Sequence, residues 1–183
     1  SFKDGMGSWT QKCAEKLPLG VVKLGTGVRE IIHDRSSDEW RLILSSGEAR
    51  AVDAVCFTTS AKLTAGFLKN NPSALPEKLN TIKYESVGTL NFAYRRDQIK
   101  HPLDGFGFVV PRTENSALVA CSFSSQKYDH RAPEGHVLLR AFVGGAFGRD
   151  FFKKEDTDLI ALVEKELSDL LGIQGSPLWT VLQ

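Results

Sequence analysis

Cysteine is scarce in this chain: three among 183 residues, Cys13, Cys56 and Cys121, far apart and each set among apolar neighbours. An odd number at such separations argues against a disulfide framework or a metal site and reads as reduced, buried thiols of a cytoplasmic protein. The four histidines, His33, His101, His130 and His136, lack metal-ligand spacing. Charge of one sign is missing too. The formal net charge is +1, with lysine and arginine spread along the chain, so there is no electrostatic footprint for nucleic acid. No apolar run approaches the roughly 20 residues of a membrane span. Neither a signal peptide nor an initiator methionine opens the chain, which starts SFKDGMG as if in mid-sequence. There is no internal repeat and no low-complexity stretch.

Motifs of catalysis are equally thin. Gly25-Thr26-Gly27 resembles half of a dinucleotide fingerprint, but Glu30 stands at the third glycine position and a strand, not a helix, follows; it reads as a turn. Ser124-Ser125 has no histidine or aspartate arranged to activate a nucleophile. Asp104 before Gly105 and Glu134 before Gly135 read as turn residues rather than an acid pair.

What is present is the composition of an ordinary globular protein, 42% apolar and 25% charged, able to bury a real core. Ser8 and Gln11 suggest a capping box opening a helix over 9–17. Strand candidates follow at Val21–Leu24, Val28–Asp34, Glu39–Ser45 and Ala49–Thr59, the last with a continuous apolar centre, Ala54–Phe57, that suits burial on both faces. Ser60 is placed to cap a helix carrying Leu63, Phe67 and Leu68, and a short helix is expected over 73–79. A strand over 83–95 would set Tyr84, Leu90, Phe92 and Tyr94 on one face.

The stretch from Asp104 to Gly145 is central. Its apolar runs Phe106–Val110, Ala117–Phe123 and His136–Val143, separated by turn-rich segments, predict an antiparallel meander. In the third run, alternation puts Leu138, Arg140 and Phe142 on one face, opposite Val137, Leu139, Ala141 and Val143. A cation between apolar groups fits either an amphipathic ligand or a solvated arginine, and spacing alone favours the latter. Thr157–Leu171 is the strongest helix, striped by Leu159, Ile160, Val163, Leu167, Leu170 and Leu171 and stopped by Gly172. The final SPLWTVLQ reads as a strand start. The fold class is therefore α+β.

Several segments, in order, resemble the protoporphyrinogen oxidase family of amine-oxidase-like flavoproteins. They are FKDGMGSWTQKCAEKL, LGTGVREI, DAVCFTTSAKLTAGFL, YESVGTLNFAYRRDQIKHPLDGFGFVVPRTE and FSSQKYDHRAPEGHVLLRAFVGG. The G-F-G-x-x-V-P and R-A-P-x-G-x-x-L-L-R-x-x-x-G-G patterns are the most specific. Asp4 departs from the pattern, standing where the family has a glycine. The G-x-G-x-x-G strand–turn–helix that holds the FAD pyrophosphate is absent, as is the W-P-x-A-I-P segment.

The resemblance thus implies a central piece of such an enzyme. Residues 1–60 would be part of the flavin domain, with β/α character, and 61–183 an antiparallel-sheet substrate-binding domain with packed helices. It implies oxidation of protoporphyrinogen IX or coproporphyrinogen III by hydride transfer to FAD, with O2 as acceptor. The piece alone would be inactive and would not retain FAD. Val28 would meet the FAD adenine through its backbone. Phe106, Gly107, Val109, Ser122 and Phe142 would contact the porphyrinogen, Gly107 by admitting a flat macrocycle close to the backbone. Arg140 is added on chemical grounds as the partner of a propionate, with Arg112 and Arg131 behind it. Peripheral membrane contact and homodimerisation are compatible with this reading. Two others stand beside it: a non-catalytic module for a flat apolar ligand, and a segment of another amine-oxidase-like flavoenzyme such as a carotenoid desaturase.

Overall fold

The computed structural model describes residues 2, 4–34, 36–144 and 153–183, which leaves Gly145 of the central stretch outside the described residues. Packing divides the chain between Tyr84 and Glu85 into two compact units, with the residues up to Ser8 counted in the second.

In the unit spanning 9–84, three short strands form an antiparallel sheet in the order β1-β2-β3: β1 (Val28–Asp34), β2 (Glu39–Leu44) and β3 (Ala49–Val52). Turns at 36–38 and 45–46 lie between them. Helix α2 (Ala61–Phe67) starts as expected at Ser60, whose hydroxyl accepts from the Leu63 amide, and α3 (Leu75–Asn80) carries Pro76 in its first turn. Asn71, just after α2, binds the edge of β1: its side chain accepts from His33 N at 2.8 Å and donates to Ile31 O at 2.7 Å. That clamp ties α2 to the small sheet, which is why the break in packing falls at residue 84 and not at 60.

Several expectations fail in this unit. Ala54–Phe57 is extended but pairs with no strand among the described residues, and Ala54 and Cys56 are exposed. An apolar run becomes a doubly covered strand only when neighbours exist on both faces, and β3 has already ended at Val52. Val21–Leu24 forms no strand either, and Leu24 is 89% exposed. Leu63 faces solvent while Thr64, Ala65 and Leu68 are buried. Helix α1 (Gly7–Glu15) begins earlier than expected. Ser8 therefore lies inside it, and its hydroxyl donates back to Gly5 O at 2.7 Å instead of capping. With no buried residue on α1, Cys13 is exposed as well.

The second unit is built on β4 (Val87–Arg95). A five-stranded antiparallel sheet runs in the order β5-β6-β7-β4-β8, with β5 (Gly107–Val109), β6 (Leu118–Phe123), β7 (His136–Gly144) and β8 (Trp179–Leu182). β5, β6 and β7 are the predicted meander. β7 then lies against β4 over nine residue pairs, from Val87↔Gly144 to Arg95↔His136. Leu90, Phe92 and Tyr94 of β4 and Leu139, Ala141 and Val143 of β7 are completely buried, whereas Tyr84 lies ahead of the strand and is exposed.

After β6 comes a one-turn helix, α4 (Ser124–Lys127). Helix α5 (Asp156–Leu171) covers that face with Leu159, Val163, Leu167 and Leu171, spaced four residues apart, and stops at Gly172 in the left-handed conformation. Leu170, expected in the stripe, is 53% exposed. Glu155 occupies the N-cap position. Each fully buried Leu, Val or Phe contributes about 1.5–3 kcal/mol, whereas exposed pairs such as Lys165–Asp169 contribute about 0–1 kcal/mol. The core under α5, not surface charge, stabilises this unit. Glu166 fixes the helix in place: its carboxylate accepts from Ser116 Oγ (2.7 Å), Ala117 N (3.0 Å) and Leu118 N (2.9 Å).

Among the described residues no helix is long and apolar enough to cross a membrane, and no cluster of metal-ligating side chains occurs. The thiols are free, as expected, but only Cys121 is buried; burial pushes it up to about 12 from 9.0. A thiol reagent applied to the native chain at pH 8 is therefore expected to modify Cys13 and Cys56 rapidly and Cys121 only after unfolding. Prompt reaction of all three would contradict the packing beneath α5.

Gly107 makes a second prediction. Its φ is +141°, and a Cβ there would overlap the Cys121 carbonyl oxygen and stand 2.9 Å from the Ser122 Cα. The backbone of β6 alone thus demands glycine. Gly107→Ala is expected to lower the unfolding free energy by about 2–3 kcal/mol, measurable by urea denaturation; an unchanged midpoint would mean that β5 does not sit this close to β6.

Candidate functional site

A sheet has two faces, and α5 covers only one. The other is organised by register, because directly paired residues in an antiparallel sheet point to the same side. Gly107 pairs with Ser122, Ser122 with Arg140, Arg140 with Asn91, and Asn91 with Val181. These five residues form one row across all five strands. The neighbouring row runs Val109, Ala120, Phe142 and Thr89. On the far side of the first row, Leu138, Ala93 and Trp179 form a third. With strands about 4.8 Å apart, the longest row spans roughly 19 Å.

Five of the seven candidates, Gly107, Val109, Ser122, Arg140 and Phe142, therefore meet on one face in two adjacent rows, although they are scattered over 36 positions of the sequence. Phe142 and Ser122 are half-buried, and Arg140 and Gly107 are exposed. Apolar and aromatic groups flank a polar middle row. Such a face offers apolar and aromatic contact from its flanking rows and one cation from the middle of the central row.

Phe106 precedes β5 at a bend and is 67% exposed, so sheet alternation does not bind it to either face. Its carbonyl still accepts from Phe123 N at 3.0 Å, extending the ladder by one bond. The loop that leads into it is held tightly. Arg96 donates to the carbonyls of Ile99 (2.6 Å), His101 (3.0 Å) and Pro102 (3.1 Å), and Leu103 is 2% exposed despite a φ of +55°. A non-glycine residue in that region is retained only where its surroundings over-determine it. The position of Phe106 is thus set from behind.

Val28 belongs to the other compact unit. It opens β1, the outer strand of the small sheet, next to a bulge between Val28 and Glu30, and Gly27 O accepts from Ser45 N at 2.9 Å. A strand at a sheet edge keeps backbone donors and acceptors on its outer side. Arg112 and Arg131 are not on the rows around Arg140. Arg112 starts a short 3-10 turn after β5, while Arg131 donates to Phe2 O at 3.3 Å and lies 5.9 Å from the centre of the Tyr128 ring.

Sequence reasoning missed Asn91, Thr89, Ala120, Val181 and Trp179 on this face. Asn91 is 6% exposed, and its Oδ1 accepts from Arg140 Nε at 2.9 Å. The available signal was an amide at the centre of a nine-residue apolar strand, where asparagine is disfavoured. On the α5 side of the sheet, a separate cleft of about 430 Å³ lies between the β5 edge and the helix, lined in part by Phe108, Val110, Glu166 and Leu170. Apart from Val109, none of the sequence-derived site residues lines it.

The chain is 30% identical over 177 residues to the coproporphyrinogen III oxidase of Bacillus subtilis, covering 97% of this chain and 37% of that protein. It is 29% identical over 195 residues to the mitochondrial protoporphyrinogen oxidase of Nicotiana tabacum, covering 97% and 38%. A crystal structure from Exiguobacterium, provisionally assigned as a protoporphyrinogen oxidase, superposes with a TM-score of 0.84 at 27% identity over all of this chain and 39% of that one. A putrescine oxidase structure shares the fold, with a TM-score of 0.74 at 15% identity. The chain spans about two fifths of the length of these relatives. The flavin containing amine oxidoreductase family matches residues 2–183, and the chain belongs to that family.

Proposed function

We propose that this chain supplies the substrate-binding face, and a backbone contact to FAD, of a porphyrinogen oxidase acting on protoporphyrinogen IX or coproporphyrinogen III. The observation that carries the reading is the pair of adjacent rows joining Gly107, Ser122 and Arg140 to Val109 and Phe142 on the face that α5 leaves uncovered. The relatives named for porphyrinogen oxidation support the ligand class.

In this reading each residue has a physical task. Phe142, with Ala120 and Thr89 beside it in its row, packs on the flat face of the macrocycle. Phe106 closes over the border of the sheet from its bend. Gly107 and Ser122 keep the middle row low, so that the ring lies near the backbone. Arg140, on the central strand of the sheet, takes a propionate turned toward the middle row. Val28 holds the adenine of FAD by main-chain hydrogen bonds, and FAD, when bound, supplies the oxidising capacity that no side chain here provides. The three rows hold no carboxylate, histidine or cysteine, and His136 pairs with Arg95 one row beyond Leu138. Orientation and exclusion of water, rather than proton transfer by the protein, are then its contribution.

The test is a titration of the 183-residue chain with coproporphyrin III, the stable oxidised form, followed by porphyrin fluorescence. Phe142→Ala is expected to weaken binding about tenfold through lost aromatic packing, with no change in thermal midpoint large enough to signal unfolding. Binding unaffected by this substitution would count against the face as the ligand site. FAD added alone is expected to keep its free fluorescence. Strong quenching would mean that a complete flavin site lies within these residues.

A further inference from the structure

Asn91 is the one residue of the middle row that is both polar and buried, at 6% exposure. It sits mid-way along β4, between Leu90 and Phe92, which are themselves fully buried on the other face. Placing an amide there costs about 1–3 kcal/mol unless it is hydrogen-bonded, and asparagine is a poor strand residue besides. Valine or threonine would serve the sheet better. The position therefore answers to something beyond strand formation, and its partner is on the page: Arg140, directly across the ladder, donates its Nε–H to Asn91 Oδ1 at 2.9 Å.

We propose that Asn91 is the positioning residue for Arg140, and that the two form a receptor for one carboxylate of the bound ligand; this rests on the reading given under Proposed function. The chemistry lies in the guanidinium's shape. It carries five N–H donors in a planar fork, and a carboxylate binds best in bidentate fashion to two parallel ones. An exposed arginine samples many rotamers, and freezing it at the moment of binding costs affinity. Anchoring Nε to a buried, backbone-fixed acceptor removes much of that cost beforehand. A lysine is a poorer substitute: its ammonium keeps two N–H donors once anchored, but not the planar, parallel pair that grips both carboxylate oxygens. A neutral amide anchors the cation without neutralising it, where an aspartate would compete with the ligand for the charge. The row around the pair, Gly107, Ser122 and Val181, presents no carboxylate to do so.

The experiment compares coproporphyrin III with its tetramethyl ester, both presented in the same neutral detergent, as ligands of the wild-type chain, Asn91→Leu, Asn91→Asp, Arg140→Leu, Arg140→Lys and the Asn91→Leu/Arg140→Leu double variant. The wild type is expected to prefer the acid over the ester roughly tenfold, the scale of one hydrogen bond to a charged group. Arg140→Leu and Asn91→Leu should each lose that preference while binding the ester normally. The double variant should be no weaker than Arg140→Leu alone, since the two residues act as one unit. Asn91→Asp keeps the anchor but should bind the acid less tightly than wild type. Arg140→Lys lacks the Nε–H that Asn91 accepts, so it should lose most of the preference with the buried position untouched, and it stands in for Asn91→Leu should that variant fold poorly.

Preference kept in Asn91→Leu but lost in Arg140→Leu would overturn the positioning role, as would additive losses in the double variant. Preference kept in Arg140→Leu would overturn the receptor, while sensitivity of the same chain to Phe142→Ala would leave the porphyrin reading standing. Failure of the wild type to bind either porphyrin would overturn both.

Discussion

One helix covers one face of five strands, and most of what is distinctive here depends on that asymmetry. The buried stripe of α5, Leu159, Val163, Leu167 and Leu171, meets Leu90, Phe92, Leu139 and Val143. With the hydrophobic stabilisation concentrated there, the opposite face is released from packing duty. Its residues can be polar, small or aromatic according to what they must touch. Glu166 makes the arrangement specific by binding the start of β6, so that the helix cannot slide along the sheet without giving up three hydrogen bonds to a carboxylate. The register of β6 against β5 and β7 follows from that fixed starting point, and the register is what assembles the rows.

The same asymmetry explains what could be read from the sequence. Where one face is buried and the other is not, alternation is strong, and the division of Leu138, Arg140 and Phe142 from Val137, Leu139, Ala141 and Val143 was legible residue by residue. The 3.6-residue stripe of α5 was legible for the same reason, apart from Leu170, which the four-residue spacing of the buried set leaves outside. β1 was found with both its ends. Legibility failed where the outcome depends on a neighbour rather than on the segment. Ala54–Phe57 has the composition of a buried strand, yet composition cannot supply the partner strand that would cover it. Cys13 and Cys56 were read as buried from apolar neighbours in sequence, but α1 buries nothing and the segment around Cys56 pairs with nothing among the described residues.

Assembly of the site was half legible. A resemblance can nominate Gly107, Ser122 and Phe142, but only register shows that they are adjacent, since pairing across strands is information that no single strand carries. Asn91 escaped notice because a lone amide in an apolar run weakens a pattern instead of making one. Trp179 escaped because it lies on a strand that reaches the face from the far side of β4. Phe106 lies outside any alternation, since the strand begins one residue later, and the constraint on it comes from Arg96 and the strained, buried Leu103 upstream.

Gly107 shows how easily a structural requirement passes for a functional one. A glycine at a ligand face invites the explanation that the ligand needs the space. Here the position a side chain would take is already filled by the Cys121 carbonyl of β6, so glycine is obligatory with or without a ligand. Asn91 is the opposite case: nothing in the strand requires it, and local propensity opposes it. Of the two, the residue that the fold would rather not have is the more informative about function, because its cost in stability has to be offset by something outside the fold. By that criterion the middle of the row, where Asn91 Oδ1 accepts from Arg140 Nε, is the place to test for function, and Gly107 at its end belongs first to the sheet.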